Sequence, residues 1–354
     1  ELCLFVNDIK IIAKQIIDSV NESGPNCCRS HYQYANNNTQ VGSIVKSMID
    51  DFNNEIRKLH SLNYDSDHNL CLITERTIVD IMNLAGKAVV SGNIRRTAEI
   101  ALGEPNNEFM GLKDYSENPE RCGYSWTSNN SVFGTVGMDY TKIAEKNKYN
   151  GEPGIFYLHN ARKYGRLIDE PNYLDIKAVG CNPCGEQTLE SYEMCCLVEI
   201  FIDKHLTIDK HGDIVDLNRD LEDFLETLKY AYLYAKTVTL CKSHWPETNS
   251  VQLRNRRIGT SLTSIQQFKA RLAAANNIVE AIKISDEDSE IKLRETLLDS
   301  NEKNGDLTSM LVERELIRWC ETGYKKIKYY DDVYSDYLAV PRSIKCTTIK
   351  PSGC

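Results

Sequence analysis

The spacing of apolar residues in 74–90 predicts a helix. Ile78, Ile81, Met82 and Ala85 recur at intervals of three and four residues, which is the period of one helix face. Because such a face normally packs inward, we expect this Ile and Met stripe to lie in the core.

A second helix is predicted from Asp216-Leu217 to about Thr239. Its apolar positions again follow the helical period, and we expect them to be core side chains. They are Leu221, Phe224, Leu225, Leu228 and Tyr232.

Between the helices, short apolar runs bounded by turn residues predict strands. The predicted strand-like runs are 98–102, 124–126, 131–133, 154–158, 199–202, 258–262 and 344–349. Short strands that alternate with helices indicate an α/β fold with a mostly parallel sheet and helical crossovers.

Composition narrows the class of protein. The 354 residues carry a formal net charge of -9, which argues against a general nucleic-acid binder. No apolar run approaches the length needed to cross a membrane. Thirteen cysteines could indicate a secreted disulfide scaffold, but that inference weakens in a chain long enough to build a core without disulfides. No signal peptide is recognisable, so a reducing, cytoplasmic location is expected.

The stretch with most chemical character is Cys181-Asn-Pro-Cys-Gly-Glu186, followed by Cys195-Cys196. Proline and glycine exclude a regular helix there. In an extended backbone, residues two apart point the same way, so Asn182, Cys184 and Glu186 can face one side. A reactive sulfur beside an acid–base group and a neutral hydrogen-bonding group is typical of a catalytic tip.

Cysteine spacing alone leaves three interpretations open. Cys181, Cys184, Cys195 and Cys196 could bind a structural zinc ion, although an adjacent cysteine pair is an awkward part of a four-thiolate site. They could instead be buried and inert, or could serve redox or radical chemistry.

Longer motifs carry a resemblance to a known family. Asn182-Pro-Cys-Gly-Glu186 with the following 189–199 resembles the finger-loop region of adenosylcobalamin-dependent ribonucleoside-triphosphate reductases of the monomeric class II type. Other matching segments follow in the family's order across most of 75–268 and 311–353. They are 90–104, 128–131, 151–165, 244–260, 340–344 and 350–353.

The resemblance implies a partial ten-stranded α/β barrel of the ribonucleotide reductase type, with a finger loop near 181–196 that carries the radical cysteine. Four segments are expected: an N-terminal helical and loop portion at 1–75, a barrel core at 76–268, an acidic insertion atypical of the family at 269–310, and a C-terminal barrel segment at 311–354.

For the site, the resemblance implies a thiyl radical on Cys184 that removes the 3′ hydrogen of a ribonucleotide. Glu186 would act as general base, and Asn182 would bind the ribose. Cys195 matches one of the two reducing cysteines, whose partner in the family precedes residue 1 of this chain.

Two further groups are predicted by position in the motifs. Asn93, Arg95 and Arg96 match a loop between the specificity-effector site and the substrate. Ser352 and Gly353 match a turn that approaches the substrate phosphates. No metal site is expected among the side chains.

The implied partners are adenosylcobalamin, a ribonucleoside triphosphate, a deoxynucleotide effector, a thioredoxin-type reductant and the missing N- and C-terminal reductase segments. Without those segments the isolated chain is not expected to turn over. Cys354 stands where the family commonly has threonine, which raises the hypothesis of an intein start. The alternatives are a zinc-stabilised or an effector-binding remnant without chemistry.

Overall fold

A computed structural model describes residues 64–65, 70–71, 74–91, 97–282 and 307–350. These residues form a mixed α/β structure with two compact units, divided after Tyr157. None of the helices in these ranges is long and apolar enough to cross a membrane.

In the first unit, the helices are α1 (Glu75–Ser91), α2 (Asn107–Gly111) and α3 (Thr141–Asn150). The strands are β1 (Tyr64–Asp65), β2 (Leu70–Cys71), β3 (Glu99–Gly103), β4 (Ser128–Phe133) and β5 (Gly154–Phe156). Strands β3, β4 and β5 form a parallel sheet in that order, as the strand pattern predicts.

Two details of the first unit differ from the sequence prediction. Residues 124–126 are not a strand, because Ser125–Thr127 forms a 3-10 helix that leads into β4. On α1, Ile81 is buried, but Ile78 and Met82 are 55% and 53% exposed.

The buried face of α1 carries polar as well as apolar side chains. Asp80 on this face accepts hydrogen bonds from the buried Arg121, whose Nε lies 2.7 Å from Oδ1. Asn83 on the same face donates to Glu99 of β3 at 3.0 Å. Buried charges and amides need partners. These contacts therefore decide which face of α1 is buried, and its most apolar stripe is left partly exposed.

In the second unit, the helices are α4 (Leu158–Lys163), α5 (Leu217–Val238), α6 (Pro246–Asn255), α7 (Ile265–Ala273), α8 (Ile278–Ala281) and α9 (Leu307–Leu338). The strands are β6 (Gly180–Cys181), β7 (Thr188–Leu189), β8 (Leu197–Phe201) and β9 (Gly259–Thr263).

Helix α5 confirms the predicted apolar stripe. Asp216 caps it by accepting hydrogen bonds from the amides of Asn218 and Arg219. Phe224 and Phe268 pack on the fully buried Trp319, with ring centroids 5.2 and 4.9 Å from the indole. This aromatic cluster is the centre of the second unit's core.

The predicted acidic insertion at 269–310 is described only over 269–282 and 307–310. Leu272, Ala275, Ile278 and Ile282 are buried members of the second core, so this part packs inside the second unit. The acidic centre of the predicted insertion lies outside the described residues.

Strands β8 and β9 pair in parallel, with Leu197 opposite Gly259 and Phe201 opposite Thr263. The predicted strand at 344–349 is an extended segment that makes one parallel bridge, Thr260 to Thr347. The sheets of the described ranges contain two or three strands each, and a ten-stranded barrel stays a prediction.

Candidate active site

The Cys181–Glu186 stretch forms the turn of a short hairpin. Strands β6 and β7 pair antiparallel, with Cys181 opposite Thr188. The amide of Asn182 donates to the carbonyl of Gln187 at 2.9 Å, and the amide of Gly185 donates to the carbonyl of Asn182 at 2.9 Å. Gly185 has φ of 79°, a left-handed conformation that favours glycine. The hairpin therefore holds Cys184 at its tip.

Asn182 shapes this turn from inside. Its side chain is buried, and its Oδ1 accepts a hydrogen bond from the amide of Gln187 at 3.0 Å. The expected alternation is thus only partly present, because Cys184 is exposed and Glu186 is half-buried. Contact between Asn182 and a ribose stays a prediction.

Cys184, Glu186 and Cys195 lie close enough to interact electrostatically. Partial burial, followed by the charges of Glu186 and Cys184, raises the pKa of Cys195 above its ordinary value. Both cysteines are free and exposed. The structure therefore brings together three of the four side chains that the sequence assigns to chemistry.

Glu186 has the most unusual surroundings of the three. Its Oε2 atom is buried and has no hydrogen-bond partner among the described residues. Burial, followed by the charge of Glu186, raises the pKa of the neighbouring Cys181 to about 11. A buried carboxylate oxygen without a donor is costly unless a ligand supplies one.

A buried ionic network supports the hairpin from below. Arg257 bonds to Asp175 through both terminal nitrogens, at 2.8 and 2.6 Å, and to Glu193 at 3.0 Å. Lys345 lies 3.1 Å from Asp175 and donates to Thr188 of β7 at 2.9 Å. The side chains of Arg257, Asp175 and Glu193 are almost fully buried.

The network holds the stretch between Cys184 and Cys195 at two points. Thr188 follows the Cys184 turn, and Glu193 precedes Cys195 by two residues. The pKa of Asp175 lies below its ordinary value, since the Arg257 hydrogen bonds and charge outweigh the effect of burial. Asp175 and its partners are therefore positioning residues.

Sequence reasoning missed these positioning residues. Asp175 and Arg257 are separated by 82 positions, so no local pattern joins them. Arg257 directly precedes the predicted strand at 258–262. A charged residue in that place is the local signal that the sequence offers.

Close packing against β9 holds the turn on its other side. Gly259 opens β9, and a side chain there would come within 2.8 Å of Thr348, 2.5 Å of Leu197 and closer still to Gln187. The hydroxyl of Thr348 donates to the carbonyl of Glu186. The Cys184 turn thus rests directly on the β8–β9 pair.

The zinc interpretation finds no support in the described ranges. There, no group of three or more His, Cys, Asp or Glu side chains is arranged to share a metal ion. Cys181 is buried while Cys184 is exposed. The half-buried Cys196 lies 3.4 Å from the carbonyl of Ala235 on α5, which fits a packed thiol.

Five predicted site residues lie outside the described residues. They are Asn93, Arg95, Arg96, Ser352 and Gly353. Their roles in effector relay and phosphate binding stay predictions, as does an intein start at Cys354.

Comparison with known proteins identifies relatives of this chain. The chain is 44% identical over 290 residues to a probable adenosylcobalamin-dependent ribonucleoside-triphosphate reductase of Dictyostelium discoideum, covering 80% of this chain and 31% of that protein. It is 43% identical over 282 residues to the adenosylcobalamin-dependent ribonucleoside-triphosphate reductase of Euglena gracilis, covering 79% of this chain and 32% of that protein.

The chain is homologous to this family of reductases. The Lactobacillus leichmannii member is 34% identical over 285 residues, covering 79% of this chain and 35% of its own length. The structure resembles the crystal structure of a B-12 dependent (class II) ribonucleotide reductase, with a TM-score of 0.57 and 29% identity over 79% of this chain and 35% of the other.

The chain spans about a third of the length of these curated reductases. No protein-family model matches it. The homology confirms the family resemblance drawn from the finger-loop motif, and the similarity to the class II structure confirms an α/β fold.

Proposed function

We propose that this chain is the radical-cysteine-bearing part of a ribonucleoside-triphosphate reductase that makes 2′-deoxyribonucleotides. The observation that carries the proposal is the buried, unpartnered Oε2 of Glu186 beside the exposed Cys184 and Cys195. Homology to adenosylcobalamin-dependent reductases over about four-fifths of the chain supports the same chemistry.

Cys184 fits the requirement for a radical carrier. It is a free thiol, exposed at the tip of a rigid turn, whereas Cys181 in the same hairpin is buried. Bound adenosylcobalamin supplies an initiating radical through homolysis of its carbon–cobalt bond. Cys184 is the side chain on which that radical would act, because it is the exposed one of the two cysteines in the hairpin.

In the proposed reaction the Cys184 thiyl takes the 3′ hydrogen atom of the substrate ribose. Glu186 accepts the 3′-hydroxyl proton as a general base, which gives its buried oxygen the missing donor. One thiol of a pair protonates the 2′-hydroxyl, which leaves as water. The pair then becomes a disulfide and supplies two electrons, with its second proton going to C2′. Glu186 returns its proton to the 3′ oxygen, and Cys184 returns the 3′ hydrogen.

Cys195 is proposed as one of these two thiols. Its electrostatic interaction with Cys184 and Glu186 supports this assignment. Its partner is expected in the family segment that precedes the sequence described here. A thioredoxin-type reductant would restore the dithiol, and a deoxynucleotide effector is the expected regulator.

The fold around the site is proposed to be part of a ten-stranded α/β barrel with a finger loop. Two observations support this. The β8–β9 pair is parallel, and the 344–349 segment continues beside β9 with backbone hydrogen bonds to Ile258 and Thr260. The Cys184 hairpin stands against this surface as a finger loop would. A cytoplasmic location fits the expected chemistry.

The test is deoxynucleotide formation by the native full-length protein with ribonucleoside triphosphate, adenosylcobalamin and dithiothreitol. The Cys184→Ala variant should lose at least 10²-fold in rate, since no other group replaces the thiyl. The matched control is Cys122→Ala, an exposed cysteine in the first unit, which should keep full activity.

Two results would count against the proposal. Equal activity of Cys184→Ala and the unsubstituted protein would remove Cys184 from the chemistry. Binding of deoxynucleotides without any cobalamin-dependent product would favour a non-catalytic remnant of a reductase instead.

A further inference from the structure

Lys350 lies at the end of the extended segment that follows β9. Its ammonium nitrogen is 2.8 Å from Oε1 of Glu199 on β8. Its backbone amide donates to the hydroxyl of Ser261 on β9 at 3.0 Å. Glu199 and Ser261 are direct neighbours in the parallel pair, so two adjacent strands hold this one lysine.

The same segment touches the catalytic turn. Two residues before Lys350, the amide of Thr348 donates to the carbonyl of Thr260 at 3.0 Å. The Thr348 hydroxyl donates to the backbone carbonyl of Glu186. Because only one residue separates Thr348 from Lys350, the position of the ammonium group is tied to the position of the turn.

Acidic groups near Lys350 raise its pKa. Its hydrogen bond to Glu199 and the charge of Glu199 raise its pKa, and the charges of Glu186 and of a Cys184 thiolate add to this effect. Lys350 is therefore a cation at neutral pH, and its charge interacts with the charges of Cys184 and Glu186.

We propose that Lys350 is a positioning residue of the active site: tethered by Glu199, its ammonium group supplies the positive potential at Cys184 and Glu186. The meaning of this potential for catalysis rests on the proposed function. The potential itself is a property of the protein without substrate or cofactor.

Two consequences follow for the chemistry. A nearby cation attracts the carboxylate of Glu186, which is the group that the proposed function uses as proton acceptor. It also offsets the repulsion between that carboxylate and negative charge on the sulfur or on an approaching substrate. Lys350 acts through these groups and is not itself assigned a bond to the ribose.

The local potential can be measured without turnover. In the native full-length protein, Cys184 is alkylated with iodoacetate, which is an anion, and separately with iodoacetamide, which is neutral. Peptide mass spectrometry gives both rates at this cysteine. Their ratio reports the potential at Cys184, because burial and loop motion affect both reagents alike.

We expect the iodoacetate-to-iodoacetamide ratio to fall roughly twofold to tenfold in Lys350→Gln, as loss of one nearby charge predicts. Lys350→Arg should restore the ratio. Lys325→Gln, which removes an exposed lysine on α9, is the matched control and should leave it unchanged. Glu199→Gln should alter the ratio as well, since it releases the tether.

An unchanged ratio in Lys350→Gln would overturn the proposal, even if both rates change together, because that pattern indicates a structural role. An unchanged ratio in Glu199→Gln would overturn the tether. Alkylation needs no cofactor or substrate, so a protein that makes no deoxynucleotide can still pass or fail this test.

Discussion

Arg257 donates two hydrogen bonds to Asp175, one from each terminal nitrogen, at 2.8 and 2.6 Å. Both side chains are almost fully buried, at 1% and 3% exposure. This paired geometry is the strongest form of contact between a guanidinium and a carboxylate. It joins the segment before the Cys184 hairpin to a residue that lies just before β9.

Arg257→Gln should therefore destabilise the second unit severely. The substitution leaves the buried carboxylates of Asp175 and Glu193 without their cation, and such a loss costs about 3–5 kcal/mol. Urea denaturation followed by fluorescence measures the change. In contrast, Arg342→Gln removes an exposed arginine that pairs with surface carboxylates, and it should not move the midpoint. Equal midpoints for the two variants would contradict the assignment.

The same pair predicts a specific acid sensitivity. Asp175 has a pKa below its ordinary value of 3.8 in the folded protein, because the hydrogen bonds and charge of Arg257 outweigh burial. A lowered carboxyl pKa contributes stability above the ordinary pKa, and this contribution is lost as pH falls through the folded value.

Asp175→Asn lacks that contribution at every pH. The difference in free energy of unfolding between the unsubstituted protein and Asp175→Asn should hence be largest near neutral pH and should shrink below about pH 4. Chemical denaturation at a series of pH values measures it. A difference that stays constant down to pH 2 would mean that Asp175 is not charged in the folded state.

The sequence predicted what local periodicity determines. Helix α5 follows its apolar stripe because the side chains at each helical turn meet one continuous core around Phe224. The sequence also predicted helix α1, but the prediction of its buried face was wrong, because Ile78 and Met82 are exposed. Its orientation depends on Asp80 and Arg121, which lie 41 positions apart in the sequence.

The candidate site divides in the same way. The motif at the tip predicts roles for Cys184 and Glu186, because a short segment supplies both groups. Support from Asp175, Arg257 and Lys345 arises only when distant segments meet in the fold, and no spacing rule records it. The buried oxygen of Glu186 likewise depends on tertiary packing, so its missing partner is visible only in the structure.

Cys195 should react with a shifted pH dependence. Partial burial and the charge of Glu186 raise its pKa above the ordinary value of 9.0, so its alkylation by iodoacetamide should keep rising with pH beyond the point at which an ordinary cysteine levels off. In Glu186→Gln the rate should level off at lower pH, because one source of the shift is gone. Mass spectrometry of the Cys195 peptide gives the profile.

The control for this profile is Glu222→Gln on the exposed surface of α5, which should leave the profile of Cys195 unchanged. Coincident profiles for Glu186→Gln and the unsubstituted protein would show that Glu186 does not act on Cys195.

Glu186→Gln should also reduce deoxynucleotide formation by about 10²- to 10⁴-fold, which is the usual contribution of a general base. A glutamine keeps the size of the side chain and cannot accept the 3′-hydroxyl proton. The effect should appear in kcat more than in KM. Activity within threefold of the unsubstituted enzyme would assign the proton to another acceptor.

Gly259→Ala tests whether the packing under the turn controls the site. The added methyl group would lie 2.8 Å from Thr348, 2.5 Å from Leu197 and closer to Gln187, so at least one of these side chains must move. Overpacking of this kind costs about 1–3 kcal/mol in stability. Since Gln187 and Thr348 both hold the turn that carries Cys184 and Glu186, deoxynucleotide formation should fall further than the stability loss alone explains.

Gly123→Ala, where a methyl group meets no atom within 4 Å, is the matched control and should leave both measurements unchanged. Full activity of Gly259→Ala at normal stability would show that the catalytic turn does not depend on this contact.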